Sequence, residues 1–251
     1  MKKIIYLYLV LPVLVFAQSQ NQNYIKTTTY KVETNTTITN PNVNDAAVSV
    51  QYFDGLGRPI QQVAHQQSTT RKDIIVHSEY DQLGRQVKEF LPYVREQSSL
   101  NYDTGAQNAQ MQFYGNTNFD LTGNPHFELT GVPFSEKELE ASPLSRVFKQ
   151  AAPGNPWSLG GGKEVKLSYD CNETDEVVFF RVITSPEPIE GCYNTEIDLN
   201  GYYDRCQLYK NTTKDENWTS GHNNTTIDYK DKQGKVVLKR TYNDNVKHDT
   251  Y

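Results

Sequence analysis

"YFDGLGRPIQQV" at residues 52–63 is followed by "YDQLGRQVKEFL" at residues 80–91, so Asp-x-Leu-Gly-Arg occurs at Asp54–Arg58 and again at Asp81–Arg85. The residues before each copy alternate in polarity. Val48, Val50 and Tyr52 alternate with Ser49, Gln51 and Phe53 ahead of the first copy, and Ile74, Val76 and Tyr80 precede the second. A period of two is the period of a strand. Between such runs, an aspartate that accepts backbone N–H bonds and a glycine that takes a positive φ turn the chain. The arginine then opens the outgoing strand, where an exposed pair with the aspartate contributes about 0–1 kcal/mol.

A third copy lies in "TTIDYKDKQGKVVLKRTY", residues 225–242, with Asp231, Gly234 and Lys235 in the turn and Tyr229 in the place of Tyr52. Two copies could make a site with paired carboxylates. Three copies, each between alternating runs, point to a rule of construction.

The composition agrees with a β framework. Seventeen tyrosines among 251 residues, with many Thr, Val and Asn, suit pleated, half-buried surfaces. The fold class expected is all-β, mainly antiparallel hairpins, with a few short helices in the middle. Residues 104–114 hold the best helix formers, and "SEKELE" at 135–140 begins with a serine followed three residues later by glutamate, a capping-box pattern that predicts a short helix. Asn200-Gly201 predicts a two-residue hairpin turn. The expected layout is a polar leader with exposed strands over 18–46, then a β-rich domain over 47–251. Within that domain, hairpin regions at 47–100 and 163–251 flank a loop and short-helix connection at 101–162. In the connection, Phe119–Gly123 is echoed by Phe127–Gly131, a single echo too short to define a solenoid.

Residues 1–17 read as a secretory signal peptide. Lys2 and Lys3 form its basic end, residues 4–16 are almost wholly apolar, and Ala17 supplies the small residue before a cleavage point at Gln18. The apolar run, interrupted by Pro12, is shorter than the ~20 residues that span a bilayer, so the chain is expected to be exported and not membrane-spanning. Loss of the two leader lysines takes the net charge from −5 to −7, which argues against nucleic-acid binding. Cys171, Cys192 and Cys206 in an oxidising compartment imply one disulfide among the three and one free thiol, with the pairing open. An Asn200-Gly201 turn would place Cys206 opposite Thr195 and not Cys192.

The three turns, read with "SVQYFDGLGRPIQQV", "KDIIVHSEYDQLGRQVKEFLPY", "PFSEKELEASPLSRVFKQAAPGNPW" and "GYYDRCQLYKNTTKDENWTSG", resemble the domain of unknown function that opens secreted RHS-repeat, or YD-repeat, proteins of Gram-negative bacteria. The resemblance runs from about Tyr24 to the last residue. It implies β-hairpins winding into a hollow shell, and partners in a downstream RHS core and a C-terminal toxin or effector of the same polypeptide. This chain would then be the N-terminal fragment of a longer protein, a non-catalytic segment supporting encapsulation, delivery or cell-surface contact.

The residues present give little for an enzyme to use. His65, His77, His126, His222 and His248 show no metal-ligand spacing, and are read as surface or loop histidines. Gly160-Gly161-Gly162-Lys163 ends as a phosphate loop does, but Trp157 stands in the place of the first glycine and Glu164 follows, so a flexible linker is the better account. No cofactor or metal is implied. A secreted glycoside hydrolase using Asp54 and Asp81 ranks third, because equivalent turns provide like environments and such catalysis needs unlike ones. The second reading is a stand-alone adhesion or glycan-binding β-domain, in which Trp218, in polar "KDENWTSGHN", stacks on surface glycans.

Overall fold

A computed structural model describes residues 21–115, 128–189 and 191–251. Among these the chain is built of antiparallel strands with one short α-helix, an all-β fold. The signal peptide, the junction of Ala17 and Gln18, His126 and most of the Phe119–Gly131 echo lie outside the described residues. No helix among the described residues is long and apolar enough to cross a membrane. The chain divides into two compact units, residues 1–80 with 90–129, and residues 81–89 with 130–251.

The first unit carries strands β1 (Asn23–Tyr30), β2 (Ala46–Phe53), β3 (Pro59–Ala64) and β4 (Ile74–His77). Past β5 (Lys88–Phe90), which is counted below, come β6 (Tyr93–Val94) and helix α1 (Ala106–Gly115). The sheet order is β1-β2-β3-β4-β6. Alternation on β2 is complete: Ala46, Val48, Val50 and Tyr52 are buried while their neighbours are half-exposed. Val50, Tyr52, Val63, Ile75 and Tyr93 form the core, and α1 lays Ala106 on it.

The second unit adds β7 (Phe134–Leu139), β8 (Val147–Ala151), β9 (Val165–Cys171), β10 (Val178–Pro186), β11 (Tyr193–Tyr202), β12 (Tyr209–Lys214), β13 (Thr225–Lys230), β14 (Val236–Asn243) and β15 (Val246–Thr250). Eight strands form one sheet, ordered β15-β14-β13-β12-β9-β8-β7-β5, and β10 with β11 form a separate two-stranded ribbon. Val177, Leu208, Ile227, Tyr229 and Leu238 make the core.

Four expectations are corrected. "SEKELE" forms most of strand β7, not a helix: Lys149 of β8 pairs with Glu138 at 2.7 Å, and Lys137 donates its backbone N–H to the Val87 carbonyl at 2.9 Å. Cross-strand pairing of a charged stretch outweighs a capping pattern worth about 1 kcal/mol. The 101–162 segment is not a connection, since it contributes α1 to the first unit and β7 and β8 to the large sheet. Asn200-Gly201 does not turn the chain. It lies inside β11, where the register slips between Val178 and Phe180, so two residues oppose one and Gly201 (φ +90°) forms a β-bulge. The turn of that hairpin lies at Glu187–Cys192, closed by a 3.0 Å bond from the Glu187 N–H to the Cys192 carbonyl, and Thr195 pairs with Thr184. Gly161 also belongs to a packed turn, because a Cβ there would lie 2.7 Å from the Asn155 and Pro156 carbonyl oxygens.

Candidate functional site

The three predicted turns share one hydrogen-bond plan. The Asp54 N–H donates to the Arg58 carbonyl at 2.9 Å and the Gly57 N–H to the Asp54 carbonyl at 3.0 Å. Asp54 Oδ1 accepts from the Leu56 and Arg58 amides, both at 2.9 Å, and Oδ2 from Arg58 Nε at 2.8 Å. Asp81 repeats this with Leu83 and Arg85, including the 2.8 Å bond from Arg85 Nε. Asp231 repeats the backbone part with Gln233 and Lys235. Gly57 and Gly84 sit at φ +77° and Gly234 at +85°, where a Cβ is disfavoured.

Each carboxylate thus acts as an anchor for backbone donors. The Arg58 amide hydrogen bond lowers the Asp54 pKa below the usual carboxylate range, with Arg58 itself adding to it against desolvation, and Arg85 does the same for Asp81. Both acids are held ionised in matching surroundings. A general acid needs the opposite.

The repeat has members that the sequence motif does not show. Ser68 stands in for aspartate: its N–H donates to the Lys72 carbonyl at 3.1 Å, its Oγ accepts from the Lys72 amide at 2.8 Å, and Arg71 takes the glycine position at φ +58°. Ser142–Arg146 is a wider version, in which Ser142 accepts from the Ser145 amide at 3.0 Å, Ser145 takes φ +48°, and Arg146 binds Glu140 through two bonds instead of the turn residue. A serine followed four residues later by a basic side chain was the available signal.

The tyrosines of the motif behave differently according to spacing. Tyr52 and Tyr229, two residues before their aspartates, are fully buried. Tyr80 precedes Asp81 directly and lies past the end of β4 at His77. It remains half-exposed, donates its hydroxyl to the Pro59 carbonyl at 2.9 Å and lies under the Arg58 guanidinium at 4.3 Å.

Two buried polar networks escaped the sequence reading, because their members are far apart in the chain. Around Tyr229, the hydroxyl donates to Glu176 Oε1 at 2.6 Å and accepts from Arg240 at 3.1 Å, while Arg240 grips Asp249 with bonds of 2.7 and 3.0 Å. Desolvation raises the Glu176 pKa, but hydrogen bonds from Lys210 and Tyr229 outweigh it and leave it lowered. In the first unit, the wholly buried carboxylate of Asp73 accepts from the Gln66 and Ser99 amides, from Arg95 at 2.9 Å and from His65 Nδ1 at 2.9 Å.

The histidines correct the surface reading in part. His65 is tied to Asp73, and His77 is buried, stacked on Phe90 at 3.8 Å, with both ring nitrogens lacking a hydrogen-bond partner. His222 stacks on Tyr242 and His248 is exposed on β15. Among the described residues no cluster of His, Cys, Asp and Glu could hold a metal ion. Cys171 and Cys206 form a disulfide and Cys192 is a free, exposed thiol. Trp218 does not present an open ring: the Lys214 and Lys166 ammoniums lie 4.0 and 5.1 Å from its centre, and its Nε1 donates to the Gly221 carbonyl at 3.0 Å.

Fold and geometry together define an all-β scaffold assembled around a repeated, carboxylate- or hydroxyl-anchored turn. The chain belongs to a family described as a domain of unknown function, DUF6443, which matches residues 26–171 and so more than half of its length. No curated protein matches it significantly.

Proposed function

We propose that this chain is a non-catalytic structural segment of an exported YD-repeat protein of the RHS type, supporting encapsulation, delivery or surface contact by sequence encoded downstream. The observation that carries the reading is the backbone hydrogen-bond plan shared by Asp54, Asp81 and Asp231, in which each carboxylate accepts amides of its own turn. At Asp54 and Asp81 the second carboxylate oxygen is also taken, by the Arg58 and Arg85 side chains. The signal-like start of the chain supports passage through an oxidising compartment, as does the Cys171–Cys206 disulfide. The lysines over Trp218 weigh against its use as a sugar-stacking platform.

Reading the gene past the Tyr251 codon tests the proposal. A reading frame that continues into further Tyr-Asp-x-x-Gly-Arg repeats is expected, and a stop codon there would overturn it in favour of an independent module. A hydrolytic activity of the purified chain that disappears in Asp54→Asn or Asp81→Asn would overturn the non-catalytic assignment.

A further inference from the structure

Strand β1 is an edge strand of the five-stranded sheet, and all eight of its residues are exposed. Lys26, Thr28 and Tyr30 lie in register with Val50, Val48 and Ala46 of β2, and those three are buried core residues. Cross-strand partners share a face. The face that carries valine on β2 therefore carries an ammonium and two hydroxyls on β1. These side chains line a cavity of about 440 Å³ with Thr37, Asn40, His65 and Gln66, among others. That volume falls within the range of about 300–1,000 Å³ of small-molecule sites. Gln66 at its wall sits at φ +49°, a conformation that residues other than glycine and asparagine rarely take.

The chemistry of the lining is specific. No aspartate or glutamate is present, although the chain as a whole is acidic. Lys26 forms no ion pair among the described residues. His65 is oriented by Asp73, whose carboxylate already accepts from two backbone amides and Arg95. The imidazole is thus not needed to satisfy that acid. With Nδ1 committed to Asp73, Nε2 has no partner among the described residues and is left for a ligand. One cation, one oriented imidazole nitrogen, and several hydroxyls and amides suit a ligand that presents one carboxylate to the cation among several hydroxyl groups.

We infer that this cavity binds an acidic sugar of the uronic acid class, with Lys26 pairing its carboxylate and His65 Nε2 hydrogen-bonded to a hydroxyl. The site is independent of the structural role proposed above, since it uses none of the turn residues. Isothermal titration of the full chain with digalacturonate is the test, with galactobiose and acetate as the neutral and non-sugar comparisons. Binding tighter than about 1 mM is expected, at least about ten-fold stronger than either comparison. Lys26→Gln, an exposed position, should weaken it about ten-fold or more with unchanged thermal unfolding, and His65→Phe should weaken it likewise. No heat with digalacturonate at about 10 mM, equal affinity for galactobiose or acetate, or a Lys26→Gln chain that binds as tightly as its parent would each overturn the assignment.

Discussion

His77→Phe should raise the stability of the first unit, and by more as the solution is acidified. The imidazole is 5% exposed and neither nitrogen is hydrogen-bonded. An orphaned buried polar group costs about 1–3 kcal/mol, so phenylalanine, which keeps the stack on Phe90, should stabilise by about that much near neutral pH. Burial lowers the His77 pKa from 6.5 to about 4, against an opposing pull from the Asp103 carboxylate. Glu79, with Oε1 3.9 Å from Nε2, is the other acid beside the ring. The folded value is depressed, so the unfolded chain binds the proton first as pH falls. Stability is therefore lost between pH 6.5 and about 4. At about pH 4.5 the linkage amounts to about 2.5 kcal/mol, with a slope approaching about 1.4 kcal/mol per pH unit. Trp157 and Trp218 both lie in the second unit, so fluorescence does not report on His77. Hydrogen-exchange mass spectrometry of the β2–β4 peptides across a urea series does. Equal acid sensitivity of the parent and His77→Phe chains would refute the reasoning, because every other titrating group is common to both.

The remaining predictions concern turns, crosslink and network. Gly57→Ala should destabilise by about 1 kcal/mol through positive φ alone, since a Cβ there meets nothing within 4 Å. Gly57→Asn should recover part of this, and Arg71→Gly should be neutral or stabilising; near-ultraviolet circular dichroism of the tyrosines on heating reads all three. Replacing both Cys171 and Cys206 by serine opens a loop of sequence separation 35 and should lower stability by about 3–4 kcal/mol in urea followed by tryptophan fluorescence. The native chain should take up one equivalent of a thiol reagent, at Cys192. Tyr229→Phe should cost about 1–2 kcal/mol by the same fluorescence assay, since Glu176 keeps Lys210 and Arg240 keeps Asp249.

What the sequence disclosed was local. Alternation around Tyr52 and Tyr229 and the helix-forming run at 104–114 stand in the structure as strands and as α1, because each is decided within a few residues. The errors came from signals that served a different local purpose. Gly201 needs positive φ, as an Asn-Gly turn requires, yet a bulge inside β11 satisfies the same need. The candidate binding groups were not legible at all. His65, Asp73, Arg95 and Lys26 carry no common spacing, and only the pairing of β1 with β2 and the return of the chain through Ser99 bring them together.

The second turn also shows what kind of unit the motif is. The first and third copies join strands that pair, β2 with β3 and β13 with β14. The Asp81 copy joins β4, in the five-stranded sheet, to β5, in the eight-stranded one. Its hydrogen bonds are nevertheless the same as those of Asp54. All of them run between residues at most four apart, so the turn closes on itself without help from flanking strand pairs. Such a turn can reverse a hairpin or redirect a chain between sheets with equal ease, and the tyrosine spacing records which. Two residues before the aspartate, the ring points into the core of its own sheet. At Asp81, where the tyrosine stands one residue before, Tyr80 lies past the end of β4 and stays half-exposed, its hydroxyl bonded to the Pro59 carbonyl.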